Sequence, residues 1–181
     1  ITAETISSTI SSEMQSDAVV AILVATACML LYIWFRFKDI RFGASAVLAL
    51  VHDVLVVLAF YAAAKVSVSS TFIACMLTIV GYSINATIVI FDRIRENMAL
   101  MGKKDSLEDV VNDSVSKTLS RSIFTSLTTF FMVASLYIFG VTSIREFALP
   151  LMVGIVCGTY SSVCITGALW YVFRTKFEKK A

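Results

Sequence analysis

Histidine is almost missing from this chain: His52 is the only one among 181 residues. The sequence also has no glycine-rich phosphate loop after a strand, no cluster at metal-ligand spacing and no nucleophile–base pair. Together these absences argue against an enzyme, a resident metal or any other cofactor. Charge is scarce as well, at 15% of residues against 58% hydrophobic ones, with a mean hydropathy of +0.85. About half apolar composition already fills a soluble core, so this balance excludes an ordinary soluble domain. Residues 1–17 hold no basic side chain, and Arg36 and Lys38 follow the first apolar run. That run is therefore not a cleaved signal peptide. The cysteines Cys28, Cys75, Cys157 and Cys164 all fall inside apolar stretches. They read as small packing residues and say nothing about redox compartment.

What the chain has instead is long apolar runs, at residues 18–35, 43–64, 71–91, 123–139 and 147–173. Each approaches or exceeds the roughly 18–20 residues that a helix needs to cross the hydrocarbon of a bilayer. The expected fold is all-α: a polytopic bundle of about five transmembrane helices. The basic residues set its orientation. With the N-terminus outside, Arg36, Lys38, Arg41, Arg93, Arg95, Lys103, Lys104, Lys117, Arg121 and the tail residues Arg174, Lys176, Lys179 and Lys180 face the cytoplasm. Only Lys65 and Arg145 are left outside, in accord with the positive-inside bias. The basic residues lie where topology alone puts them, so nucleic-acid binding has no support.

Residues 1–17 form a polar external lead-in, residues 18–173 the transmembrane domain, and residues 174–181 a basic cytoplasmic tail. Short turns at 36–42 and 65–70 make the first three spans antiparallel neighbours. The sizeable aqueous segment is residues 92–122. In it Asp105 and the acids Glu108 and Asp109 signal a helix start, and Leu107, Val111, Val115 and Leu119 recur every four residues. This spacing predicts a short cytoplasmic amphipathic helix. Pro150, the only proline, sits in the first turns of the last span, where a missing N–H is tolerated. Beyond it, Gly154 and Gly158 form a GxxxG pair that lets helix backbones approach closely.

Polar groups nevertheless stand at membrane depth. His52 and Asp53 fall near the middle of the second span. Ser83, Asn85 and Thr87 alternate along the third, which ends in Asp92, Arg93, Arg95 and Glu96. Arg121 opens the fourth, followed by Thr125, Ser126, Thr128 and Thr129, and the fifth carries Thr159, Ser161, Ser162 and Thr166. An ionised Asp53 in hydrocarbon costs at least a few kcal/mol, so it must be neutral, paired or beside water. Two readings stand open: a structural one, in which the hydroxyls bond their own helices and His52 and Asp53 satisfy each other or a neighbouring backbone, or an ion relay across several spans.

The run at residues 81–97, GYSINATIVIFDRIREN, closely resembles the signature of the SecF family of bacterial protein-export membrane proteins. Further blocks agree in order: FRF at 35–37, LVHD at 50–53, FIACMLTIVG at 72–81, TLSRS at 118–122, TSLTT at 125–129 and GIVCGTYSS at 154–162. The resemblance covers nearly the whole chain. It implies an RND-like transmembrane half of the bacterial cell membrane, paired with SecD, corresponding to spans two to six of six. The first span and most of an external domain would lie elsewhere. It further implies a role beside the SecYEG translocon, drawing the exported unfolded polypeptide outward with the proton- or sodium-motive force while embedded in membrane lipid. Asp53, Asn85, Thr87, Arg121 and Thr125 are then the candidate ion-path residues. One departure is plain: the family usually has an aspartate after the asparagine of Ser-Ile-Asn, facing the arginine that aligns with Arg121, and here that position is Ala86. Alternatives are an RND-type exporter half for small molecules or lipids, and an uncoupled scaffold subunit.

Overall fold

In the computed structural model, which describes residues 8–66, 68, 70–102 and 106–178, every regular element is a helix. Helix α1 (Ser8–Phe37), α2 (Ile40–Ala64), α3 (Ser70–Ala99) and α4 (Leu107–Phe139) run in turn through the bundle. α5 (Thr142–Tyr160) passes into a π-helical turn, Ser161–Thr166, and on into α6 (Gly167–Glu178). Five helical stretches among the described residues are long and apolar enough to cross a membrane, the last formed by α5, the π turn and α6 together. Residues 1–7, Lys103, Lys104, Asp105 and residues 179–181 lie outside the described residues, so those parts of the lead-in, loop and tail readings do too.

Local chemistry sets the breaks between helices. Asp39 caps α2 by accepting from the Arg41 N–H at 2.9 Å. Lys65 ends α2 in the left-handed region, φ 51°, with its N–H bonded to the Tyr61 carbonyl. α4 is capped by Ser106, whose Oγ accepts from the Asp109 N–H at 3.1 Å and donates to the Asp109 carboxylate at 2.6 Å. The first of these bonds satisfies one of the N–H donors that a helix start leaves orphaned, and the second holds the serine in place to do so. The expected amphipathic stretch does begin here, but it is not separate from the fourth span. Nothing between residues 107 and 139 breaks a helix, so 33 residues form one element. Val111 is buried, and Val115 packs on the core beside Trp170. Pro150 lies inside α5, in its third turn, and is tolerated there.

The bundle is apolar outside and has a polar layer within. Val19, Val20, Leu23, Leu31, Trp34 and Phe35 of α1 and Phe131, Met132, Ile138 and Phe139 of α4 are exposed. In water such a surface would aggregate, whereas lipid is its natural cover. Two apolar cores fill the ends. One gathers Phe37, Phe42, Phe91 and Trp170, with the Phe42 and Trp170 rings stacked at 4.8 Å. The other gathers Val57, Tyr61, Met76, Ile79, Ala148 and Ile155. At the first end Arg36 pairs with Asp92 at 2.8 Å and Arg95 donates to the Arg36 carbonyl, tying α1 to α3. Between the cores lie Asp53, Ser83, Thr87, Ser161, Ser162 and Thr166, all buried.

Candidate functional site: a buried carboxylate and a polar cleft

The polar layer centres on Asp53, which has no exposed surface. Its Oδ2 accepts from Ser83 Oγ of α3 at 2.5 Å and from Ser161 Oγ of the π turn at 2.7 Å. Its Oδ1 accepts from the Cys157 thiol at 3.4 Å and lies 3.1 Å from His52 Nδ1. With the imidazole proton on Nδ1, both oxygens therefore receive two donors, which is how a carboxylate survives in a dry interior. Next to it, Thr87 Oγ1 meets Ser162 Oγ at 3.3 Å, and Ser162 Oγ donates to the Gly158 carbonyl at 2.6 Å.

Small residues permit this convergence. A Cβ on Gly158 would come 3.2 Å from Ser83 Cβ, and one on Gly154 would overlap the Ile79 side chain. The two glycines thus bring α5 against α3 over the length of the polar layer. The π turn follows from the same chemistry. Ser161 Oγ and Ser162 Oγ both bond back to the Gly158 carbonyl, and such hydroxyls compete with the backbone ladder. Single π turns recur at functional sites.

A second polar place is a small cleft of about 80 Å³ between α3 and α4, lined by Tyr82, Asn85, Ala86, Val89, Arg121, Ser122, Thr125 and Ser126. Asn85, Arg121 and Thr125 are exposed there and Ala86 is half-buried. Among the described residues Arg121 has no ion-pair partner, and the buried Tyr82 hydroxyl has no hydrogen-bond partner. Ser126 links this cleft inward, accepting from Thr159 Oγ1 at 2.6 Å.

The structure therefore divides the five sequence candidates. Asn85, Arg121 and Thr125 share the cleft with Ala86, while Asp53 and Thr87 belong to the buried layer. Of the partners of Asp53, sequence pointed only to His52; Ser83, Ser161 and Cys157 were not picked out as its partners. Cys157, read there as mere packing, donates to it, because Cys157 lies one turn before Ser161 on the same helix face.

A helical bundle whose apolar exterior encloses a fixed polar layer defines a polytopic membrane protein with polar groups arranged at membrane depth. Residues 1–176 match the model of the protein export membrane protein SecD/SecF C-terminal family, and the chain belongs to that family. It is 45% identical over 174 residues to the protein translocase subunit SecF of Alicyclobacillus acidocaldarius, covering 95% of this chain and 56% of that one. It is 43% identical over 176 residues to the protein translocase subunit SecDF of Thermus thermophilus, covering 97% of this chain and 24% of that protein. The crystal structure of SecDF, a translocon-associated membrane protein from Thermus thermophilus, superposes with a TM-score of 0.86 at 43% identity, over 94% of this chain and 23% of that one. The chain thus spans little more than half the length of the SecF relative.

Proposed function

We propose that the chain is the membrane-embedded part of a SecF-type subunit that works with a SecD-type half beside the SecYEG translocon. In this reading it promotes late export of unfolded polypeptide at the expense of a proton or sodium gradient and has no enzymatic activity of its own. The observation that carries the ion-linked role is the α3–α4 cleft. Arg121 and the Tyr82 hydroxyl, neither of which has a partner among the described residues, line one small space with Asn85 and Thr125, and polar groups at membrane depth mark ion and proton paths. The SecD partnership is supported by relatives in which SecD and SecF are named as one protein.

The N-terminus is outside and the C-terminus cytoplasmic in this reading. Arg36, Arg41, Arg93, Arg95, Arg174 and Lys176 gather at one end of the bundle, against Lys65 and Arg145 at the other. Ala86 favours a second reading, in which the subunit keeps its assembly role as a scaffold and has lost ion coupling. The test is export into vesicles that contain SecD and SecYEG, with and without this subunit, before and after an ionophore collapses the gradient. Coupling predicts a contribution that vanishes with the gradient. A contribution that survives collapse leaves the scaffold, and co-purification with a transporter unrelated to SecD would favour an RND-type exporter half for small molecules or lipids.

A further inference from the structure

His52, Asp53 and Cys157 present one ligand atom each to a single point. Nδ1, Oδ1 and Sγ all lie within 4.8 Å of one another. The separations are 3.1 Å for Nδ1 to Oδ1, 3.4 Å for Sγ to Oδ1 and 3.9 Å for Sγ to Nδ1. Zinc bonds of about 2.0–2.3 Å at tetrahedral angles set ligand atoms roughly 3.3–3.6 Å apart. The observed edges bracket that range, so three corners of such a tetrahedron stand near their places.

The surroundings suit a metal as well. Asp53 Oδ2 is held by Ser83 and Ser161, which fixes the carboxylate and leaves Oδ1 turned to the other two ligands. Outer contacts of this kind orient ligands in metal centres. His52 and Cys157 are only partly covered and line a groove of about 690 Å³ with Val56, Met152, Val156 and Tyr160. A fourth ligand has room on that side. Charge decides the kind of ion. A divalent cation on one thiolate, one carboxylate and one neutral imidazole sums to zero, so it leaves no bare charge at membrane depth.

We infer that His52, Asp53 and Cys157 form a binding site for a divalent, borderline-soft metal ion of the zinc type, with a fourth position open to the groove. Sequence spacing conceals the site, since Cys157 stands 105 residues from His52. Thiolate and imidazole ligands select zinc-like ions over magnesium or calcium. On binding, the Cys157 S–H proton that now points at Asp53 leaves to solvent, the His52 Nδ1 proton is lost as Nε2 takes one up from solvent so that the ring stays neutral, and the sulfur and Nδ1 lone pairs pass to the metal. This site is independent of the ion-linked role proposed above. If both hold, metal at Oδ1 takes that oxygen out of any relay.

The experiment is a titration of the full chain in detergent with Co²⁺ as a spectroscopic stand-in, after exchanging the exposed Cys28 and Cys164 for serine. The expected result is one equivalent bound, with a thiolate-to-cobalt charge-transfer band and visible tetrahedral absorption, both erased by Zn²⁺. Cys157→Ser, which keeps a donor to Asp53, abolishes the band. His52→Gln weakens binding at least tenfold, and Ser161→Ala weakens it about 10–100-fold through the freed carboxylate. Absence of the band in the parent overturns the inference. So does a band that persists in Cys157→Ser, or one whose affinity is unchanged in His52→Gln. Because the readout is spectral, the result stands apart from any export assay.

Discussion

The same methyl group placed at three glycines should report three different packings. Gly81→Ala, Gly154→Ala and Gly158→Ala all lie within helices, so each gains about 1 kcal/mol of helix propensity, which cancels in a comparison. What differs is the space. At Gly81 a Cβ meets nothing within 4 Å. At Gly158 it meets Ser83 Cβ at 3.2 Å and Cα at 3.5 Å, tight by a few tenths of an ångström. At Gly154 it would overlap two atoms of Ile79, a β-branched side chain only 1% exposed in the core, with little freedom to swing aside. Overpacking of a filled core costs about 1–3 kcal/mol. Gly154→Ala should therefore be less stable than Gly81→Ala by about 1–3 kcal/mol, with Gly158→Ala between them. Reversible unfolding in mixed micelles, followed by tryptophan fluorescence from the buried Trp170, supplies the measurement. If Gly154→Ala is as stable as Gly81→Ala, α5 does not press on α3 through this face. The convergence of Ser83 and Ser161 on Asp53 would then need another cause.

Asp53→Ala takes the acceptor from the buried Ser83 hydroxyl, leaving Ser161 only its longer bond to the Gly158 carbonyl, and should cost more stability than Asp53→Asn, whose amide oxygen still accepts. Unsatisfied groups of this kind cost about 1–3 kcal/mol each, and equal melting of the two variants would count against the hydrogen-bonded layer. Ala86→Asp places a carboxylate in the cleft with Arg121, which has no ion-pair partner among the described residues, and should raise gradient-dependent export. Arg121→Ala should cancel that gain yet cost little in the Ala86 parent, a coupling of about 0.5–3 kcal/mol that a double-mutant cycle in the vesicle assay reads directly. For orientation, a cysteine at the exposed Thr142 should react with an impermeant thiol reagent from outside and one at Met101 should not, with native cysteines replaced. Labelling of Met101 alone would invert the topology.

The spans were legible in the sequence because transfer into lipid acts on every residue of a run, and a run needs no partner to be recognised. The residues of the cleft were legible for a different reason: Asn85, Arg121 and Thr125 stood out as polar groups at membrane depth and Ala86 by the resemblance of its block, and the structure lines one cleft with all four. What sequence could not show is which polar residues share a face across helices. Ser83, Asn85 and Thr87 look like one set when written in a line. On a helix, Ser83 and Thr87 lie a turn apart and point inward, while Asn85 turns to the open side. The continuity of α4 was hidden too, since charge at Lys117 and Arg121 suggested a boundary where the backbone sees none.

That division of the third helix bears on how Ala86 should be understood. An acid at this position would stand in the cleft beside Arg121, on the half-open side of α3, and not in the dry layer around Asp53. Asp53 cannot simply replace it. Its oxygens are already taken by Ser83, Ser161, Cys157 and His52, and no hydrogen bond joins it to the cleft. The link that exists runs from Thr159 to Ser126, through hydroxyls on α5 and α4. With Ala86 at this position, and no ion-pair partner for Arg121 among the described residues, the exposed guanidinium keeps its charge in the cleft.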